Sequence, residues 1–94
     1  MSVETAQEAE VSMLLHDRLQ SLSPTLLEIT DESHLHAGHA GAREGKHFRV
    51  RIVSSKFSGQ NTVTRHRLVF AAVGDLMRGK IHALAISAKA PEEV

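Results

Sequence analysis

The apolar residues of this 94-residue chain change period along its length, and that change limits the folds open to it. Between Gln7 and Leu22, the residues Val11, Leu14, Leu15, Leu19 and Leu22 recur at helical spacing, with Glu8, Glu10, Asp17 and Arg18 mostly opposite. That pattern predicts an amphipathic helix, stopped at Ser23 because the residue before Pro24 avoids the helical region. From Thr25 to Thr30 the period drops to two: Leu27 and Ile29 alternate with Glu28 and Thr30, Leu26 being the exception. It is two again from Lys46, where Phe48, Val50 and Ile52 alternate with His47, Arg49 and Arg51. Both stretches predict strands with one face on a core and the other in water. Helical spacing returns in Leu68, Val69, Ala72, Val73 and Leu76, with Asn61 or Thr62 placed to cap the helix and Gly79 to end it. Ile81 to Ala88 predicts a third strand, in which His82, Leu84, Ile86 and Ala88 share one face.

The order α-β-β-α-β predicts an α+β fold, a three-stranded mixed sheet covered on one face by two helices. The length suits a single domain over residues 1–94, with 1–6 and 89–94 as flexible tails. Strands one and two should pair antiparallel, while strands two and three, joined through a helix, should run parallel with a right-handed crossover. Parallel pairing puts the starts of strands two and three at one end of the sheet, where strand one ends. His82 is therefore expected near His34, His36, His39 and His47.

The chain has no cysteine, which excludes disulfides, a thiolate nucleophile and any cysteine-ligated cluster held by this chain alone. Eleven Lys and Arg balance eleven Asp and Glu, a poor endowment for a protein whose main business is the phosphate backbone. No apolar run approaches the roughly 20 residues that span a bilayer. The N-terminal residues carry Glu4 and Glu8 where a leader would carry Lys or Arg, so the expected location is the cytoplasm, with no membrane partner.

Imidazole is the chemistry that stands out. His34, His36 and His39 crowd six positions of a segment, residues 32–45, that Gly38, Gly41 and Gly45 mark as a long turn-rich connection. Neutral imidazole binds Zn, Cu, Ni and Fe through either ring nitrogen. His36, His39 and His82 with a water would make an open zinc site, but only Asp31 and Glu32 are at hand as acid or base, and no supporting carboxylates behind the ligands are visible. A zinc hydrolase is disfavoured. His16 and His47 fall on exposed faces with no special role, and His66 reads as a packing residue.

Asp31-Glu32-Ser33 with His36, His47-Phe48-Arg49-Val50, Ile52-Val53-Ser54, Phe57, Gly59, Arg65-His66-Arg67-Leu68-Val69, Ile81-His82-Ala83-Leu84 and Ala90-Pro91 together resemble the BolA family, over nearly the whole chain from the first helix onward. The resemblance implies a fold similar to the type II KH domain. It also implies a monothiol glutaredoxin as partner and a [2Fe-2S] cluster shared with it. The glutaredoxin gives its cysteine and a glutathione thiol, and the BolA side gives the histidine of the last strand and one His or Cys from the loop between the first two strands. On this sequence those positions are His82 and His36, with His39 and then His34 in reserve. Such a protein is an adaptor rather than an enzyme and needs no small-molecule substrate. Two thiolates and two imidazoles are the ligand count of Rieske centres, where imidazole raises the reduction potential. Protonated imidazole cannot ligate, so such a cluster should be sensitive to acid.

The family is also described as transcriptional regulators, so DNA binding is the competing expectation, through Arg65, His66 and Arg67 on the second helix, with Arg49 and Arg51 on the open sheet face. The physical support is thin. Ser58-Gly59-Gln60-Asn61 has one glycine where a KH domain has Gly-x-x-Gly, and three Phe with no Tyr or Trp leave little for base stacking.

Overall fold

The computed structural model describes residues 3–33 and 46–94, with the side chains followed from Glu10 onward. Helix α1 spans Val3–Leu19 and tightens into a 3-10 turn at Gln20–Leu22. Val11, Leu15, Leu19 and Leu22 are buried at the spacing that predicted the helix, and Leu14 packs beside them. The turn closes at Ser23, whose backbone takes the left-handed conformation at φ 49°. Strand β1 is Leu26–Asp31, with Leu27 and Ile29 toward the core and Glu28 and Thr30 exposed.

Strand β2, Lys46–Val53, buries Phe48, Val50 and Ile52 and turns Arg49 and Arg51 to solvent. At its end Ser54 is fully buried, and burial obliges its hydroxyl to find partners. The Oγ donates to the Leu22 carbonyl and accepts from the Lys56 N–H, which ties the α1 exit to the 3-10 turn Ser55–Phe57. Helix α2, Thr62–Val73, is capped by Asn61, whose side chain accepts from the Thr64 N–H at 2.8 Å.

The second helix ends earlier than its apolar pattern predicts. Gly74, at φ 63°, closes α2, and a 3-10 turn over Gly74–Met77 carries Leu76 into the core. Arg18 of α1 explains the position of the break: its Nη1 donates to the Val73 carbonyl and to Asp75 Oδ1. A Cβ at residue 74 would stand 3.2 Å from that Nη1, so glycine serves both the positive φ and the close approach. Gly79, expected to end the helix, is left-handed at φ 100° in the turn that follows.

Strand β3, Ile81–Lys89, completes a sheet of order β1-β2-β3, with β1 and β2 antiparallel and β2 and β3 parallel. This is the α+β arrangement of two helices and a three-stranded mixed sheet. α1 and α2 cover one sheet face around a single core that includes Leu15, Leu19, Phe48, Phe57, Val69, Val73 and Ile81. Residues 89–94, read as a tail, are held: Lys89 closes β3, Ala90 is fully buried, and Pro91–Glu93 forms a 3-10 turn.

Candidate functional site

Parallel pairing brings the starts of β2 and β3 together, and with them His47 and His82. The ring centroids lie 5.1 Å apart with the planes tilted by 40°. A break in register produces this contact. Lys46 pairs with Ile81, but His47 pairs with Ala83, leaving His82 as the extra residue of a β-bulge. Beyond it, Leu84, Ile86 and Ala88 pack against the core. Strict alternation would put His82 with them, as the sequence pattern suggests. The bulge instead lets Ile81, 2% exposed, enter the core and turns His82 out to solvent. Re-aiming one side chain at the end of a strand is a recurrent use of a bulge.

His47 is held in place by the residues that end β1. The Glu32 N–H donates to the His47 carbonyl at 2.7 Å, and the His47 N–H donates to Ser33 Oγ at 3.1 Å. Asp31 sets Ser33 in turn, its Oδ1 accepting from the Ser33 N–H at 2.8 Å. Asp31-Glu32-Ser33 thus clips the first residues of β2, while the Lys46 N–H reaches the Lys80 carbonyl across the sheet. His47 is half-buried and packs on His82, a correction to its reading as a residue on an exposed face. His34, His36 and His39 lie outside the described residues.

Among the described residues, two imidazoles stand together at this end of the sheet. Among the described residues, no three His, Asp or Glu side chains stand close enough to hold a metal ion. The arginines of the open face are matched with carboxylates. Arg49 Nε meets Glu32 Oε2 at 2.9 Å and Arg51 Nη1 meets Glu28 Oε1 at 3.1 Å.

Arg65, His66 and Arg67 lie at the other end of the molecule. Arg65 donates through Nη1 to the Ala88 carbonyl, which is about 20 Å along β3 from His82 at the usual rise per residue. Its Nε donates to the Gln60 carbonyl at 2.8 Å, and its Nη1 and Nη2 grip the two carboxylate oxygens of Glu93 at 2.6 and 3.2 Å. Glu93 Oε1 also accepts from the Ala90 N–H at 2.6 Å, and Ser58 Oγ donates to Glu92. The Arg65 bond holds the Glu93 carboxyl below the usual glutamate range, with the Ala90 N–H adding to the effect. Arg65 therefore clamps the C-terminal turn. His66 is half-buried, and Arg67 remains exposed.

No helix among the described residues is long and apolar enough to cross a membrane. The family model "BolA-like protein" matches residues 19–93. The chain is 49% identical over 74 residues to BolA-like protein 1 of Mus musculus, covering 79% of this chain and 53% of that protein. It is 43% identical over 89 residues to SufE-like protein 1, chloroplastic/mitochondrial, of Arabidopsis thaliana, covering 87% of this chain and 24% of that one. The chain thus spans about half of the first relative and about a quarter of the second. Among solved structures, the BolA domain of SufE1 from Arabidopsis thaliana superposes with a TM-score of 0.76 at 44% identity, over 87% of this chain and 93% of that one. The match runs from the end of α1 through both imidazoles to the clamped C-terminal turn, and the chain belongs to the BolA-like family.

Proposed function

We propose that this chain is an adaptor that binds a monothiol glutaredoxin and shares a [2Fe-2S] cluster with it, in iron–sulfur cluster trafficking or iron-responsive regulation. The observation that carries the reading is the pair His47 and His82, two imidazoles packed together at one sheet end of a chain without cysteine. Neutral imidazoles are competent iron ligands, and two of them complete a four-ligand [2Fe-2S] site when a partner brings two thiolates. A chain without cysteine brings no thiolate of its own, which suits its imidazoles to a site whose thiolates a partner supplies.

His82 is one ligand on this reading. The second is an imidazole from the same end of the sheet, for which the family resemblance names His36 first and His39 and His34 in reserve. The cluster is cargo to be passed on or sensed. It brings one-electron chemistry at a potential that imidazole ligation raises above an all-thiolate value. The chain's own work is to hold His82 outward on the bulge and to fix its neighbour through the Asp31-Glu32-Ser33 clip. A domain that makes up about a quarter of one longer relative also behaves as a module joined to other parts, as an adaptor would.

The test is reconstitution with a monothiol glutaredoxin, glutathione, iron and sulfide, followed by visible circular dichroism. A heterodimer spectrum distinct from that of the glutaredoxin alone is expected, and His82→Ala should abolish the difference. An unchanged spectrum on adding this chain would overturn the proposal. DNA binding is the weaker reading, because Arg65 is committed to Glu93 and Arg49 and Arg51 to Glu32 and Glu28.

A further inference from the structure

We propose that the outer edge of β3 is a self-association surface, on which two copies of this chain pair their β3 strands antiparallel about a two-fold axis at Ala85. The inference stands apart from the cluster-sharing reading and needs no metal.

The hydrogen-bonding phase of β3 is the first ground. Successive residues of a strand turn their N–H and C=O groups to alternate sides. The Lys89 carbonyl accepts from the Ser54 N–H at 3.0 Å, so Lys89 faces β2, and with it Ser87, Ala85 and Ala83. Leu84, Ile86 and Ala88 face the other way, and β3 is the last strand of the sheet. Arg65 agrees with this phase, since its Nη1 donates to the Ala88 carbonyl from that side at 3.1 Å. Among the described residues, nothing takes the outward N–H and C=O groups of Leu84 and Ile86.

The second ground is that this edge is guarded at its ends and open in its middle. Native edge strands are blunted by charges, prolines and bulges. β1, the other edge, is six residues long and carries Glu28 and Asp31. β3 is nine residues long and has no Asp, Glu, Lys or Arg before Lys89. Its bulge guards the start, and Arg65, Lys89 and Pro91 guard the end. Leu84 to Ile86 lies between them. Apolar side chains flank the gap: Leu84 and Ile86 are only half-buried against the core, and so are Leu68 and Ala72, which share with Arg65 one side of α2.

These constraints select both the occupant and the register. A second copy offers the same neutral stretch, and a two-fold antiparallel pairing is self-complementary. Centred on Ala85, the pairing lets Leu84 exchange both backbone bonds with the second copy's Ile86, and Ile86 with the second copy's Leu84. Centring on Leu84 would draw in the bulge, and centring on Ile86 would need the Ala88 carbonyl that Arg65 holds. Ala85 then faces its own copy at a non-hydrogen-bonded position, where Cα atoms come within about 4.5 Å. A methyl side chain suits so close an approach. The two Lys89 side chains fall at opposite ends of the ladder, so like charges are not opposed.

Sedimentation and cross-linking of the full chain test this. A pairing this short buries less than about 1,200 Å², the class of transient complexes, so the dimer should grow with concentration. The weight-average mass should rise from 10.3 kDa toward twice that value as the protein is concentrated into the millimolar range. Ala85→Glu and Ala85→Lys each set like charges face to face, and each alone should stay monomeric, whereas their equimolar mixture should dimerise again. Because the chain has no cysteine, single replacements report the register. In an oxidised glutathione buffer Ala85→Cys should give a disulfide dimer. Ser87→Cys alone should not, and Ser87→Cys mixed with Ala83→Cys should. A wild-type chain that is monomeric at every concentration would overturn the proposal. So would a dimer that survives in folded Ala85→Glu, or Ser87→Cys cross-linking to itself as fast as Ala85→Cys does.

Discussion

Replacing Ile81 with alanine should both destabilise the protein and loosen its imidazole pair, because Ile81 is the residue the bulge sends into the core. Its side chain is 2% exposed, one position before the outward His82. The substitution removes about three methylene equivalents, or roughly 2.4 kcal/mol of transfer free energy at about 0.8 kcal/mol each. A cavity term adds to this, and measured Ile→Ala changes in cores fall at about 2–5 kcal/mol. Taking about 3 kcal/mol, Tm should fall by roughly 12–24 °C for a domain of this size. A chain of 94 residues holds only about 5–14 kcal/mol in total, so the variant should still fold in the cold but with little reserve. Ile81→Val, which keeps the β-branch and most of the volume, should cost about 0.5–1.5 kcal/mol. Urea melts followed by far-ultraviolet circular dichroism give the stabilities. Nuclear Overhauser contacts between the His47 and His82 rings report the pairing in the folded fraction. A fall in Tm of less than about 3 °C, under 1 kcal/mol on the same scale, would refute the anchoring role of Ile81. So would ring contacts as strong in the alanine variant as in the parent.

Two further outcomes follow from the far end of the sheet. Glu93 ionises more readily in the fold than in an unfolded chain, so its clamp on Arg65 is complete above the ordinary glutamate range and is released as pH falls through the lowered folded value. Acid titration followed by nuclear magnetic resonance should show the Arg65 Nη–H and Ala90 amide signals moving together below that range. Glu93→Gln should remove this step and speed Ala90 amide exchange at neutral pH, and unchanged exchange would show that the clamp does not hold the turn. As for DNA, the isolated protein should bind random and specific duplexes alike, no tighter than the non-specific range of about 10⁻⁴–10⁻⁶ M, with affinity falling steeply with salt. Nanomolar, sequence-selective binding that Arg67→Ala abolishes would reverse the ranking of the two functional readings.

Local periodicity announces the elements of this fold, and long-range contacts correct it at three places. Val11, Leu15, Leu19 and Leu22 repeat on a helix, and Phe48, Val50 and Ile52 on a strand, because each pattern is complete within a few residues. The end of α2 is different. Nothing near Ala72-Val73-Gly74-Asp75 says that Arg18, far back on α1, takes the Val73 carbonyl and Asp75. The C-terminal turn likewise depends on Arg65 meeting Glu93 from 28 residues away. The bulge is the instructive case, since Ile81-His82-Ala83-Leu84-Ala85-Ile86 alternates well enough to place His82 in the core. Only the parallel register with β2, which starts at Lys46 and Ile81 and slips at once, turns His82 outward. Topology alone brings His82 to the neighbourhood of His47; the bulge decides that the two rings touch.

The charge arrangement bears on function by a similar route. Arg18, Arg49, Arg51 and Arg65 each meet a carboxylate from another element, namely Asp75, Glu32, Glu28 and Glu93. Exposed pairs of this kind contribute little to stability individually, so their main effect is on the field the surface presents. A phosphate backbone gains affinity by releasing counterions from many uncommitted cations, and each arginine already paired is one fewer to offer. Imidazole loses nothing in this way, because metal ligation uses a lone pair and no net charge. The pairing that weakens the sheet face for nucleic acid thus costs nothing to the proposed partnership, in which imidazole rather than arginine would meet the thiolates and iron.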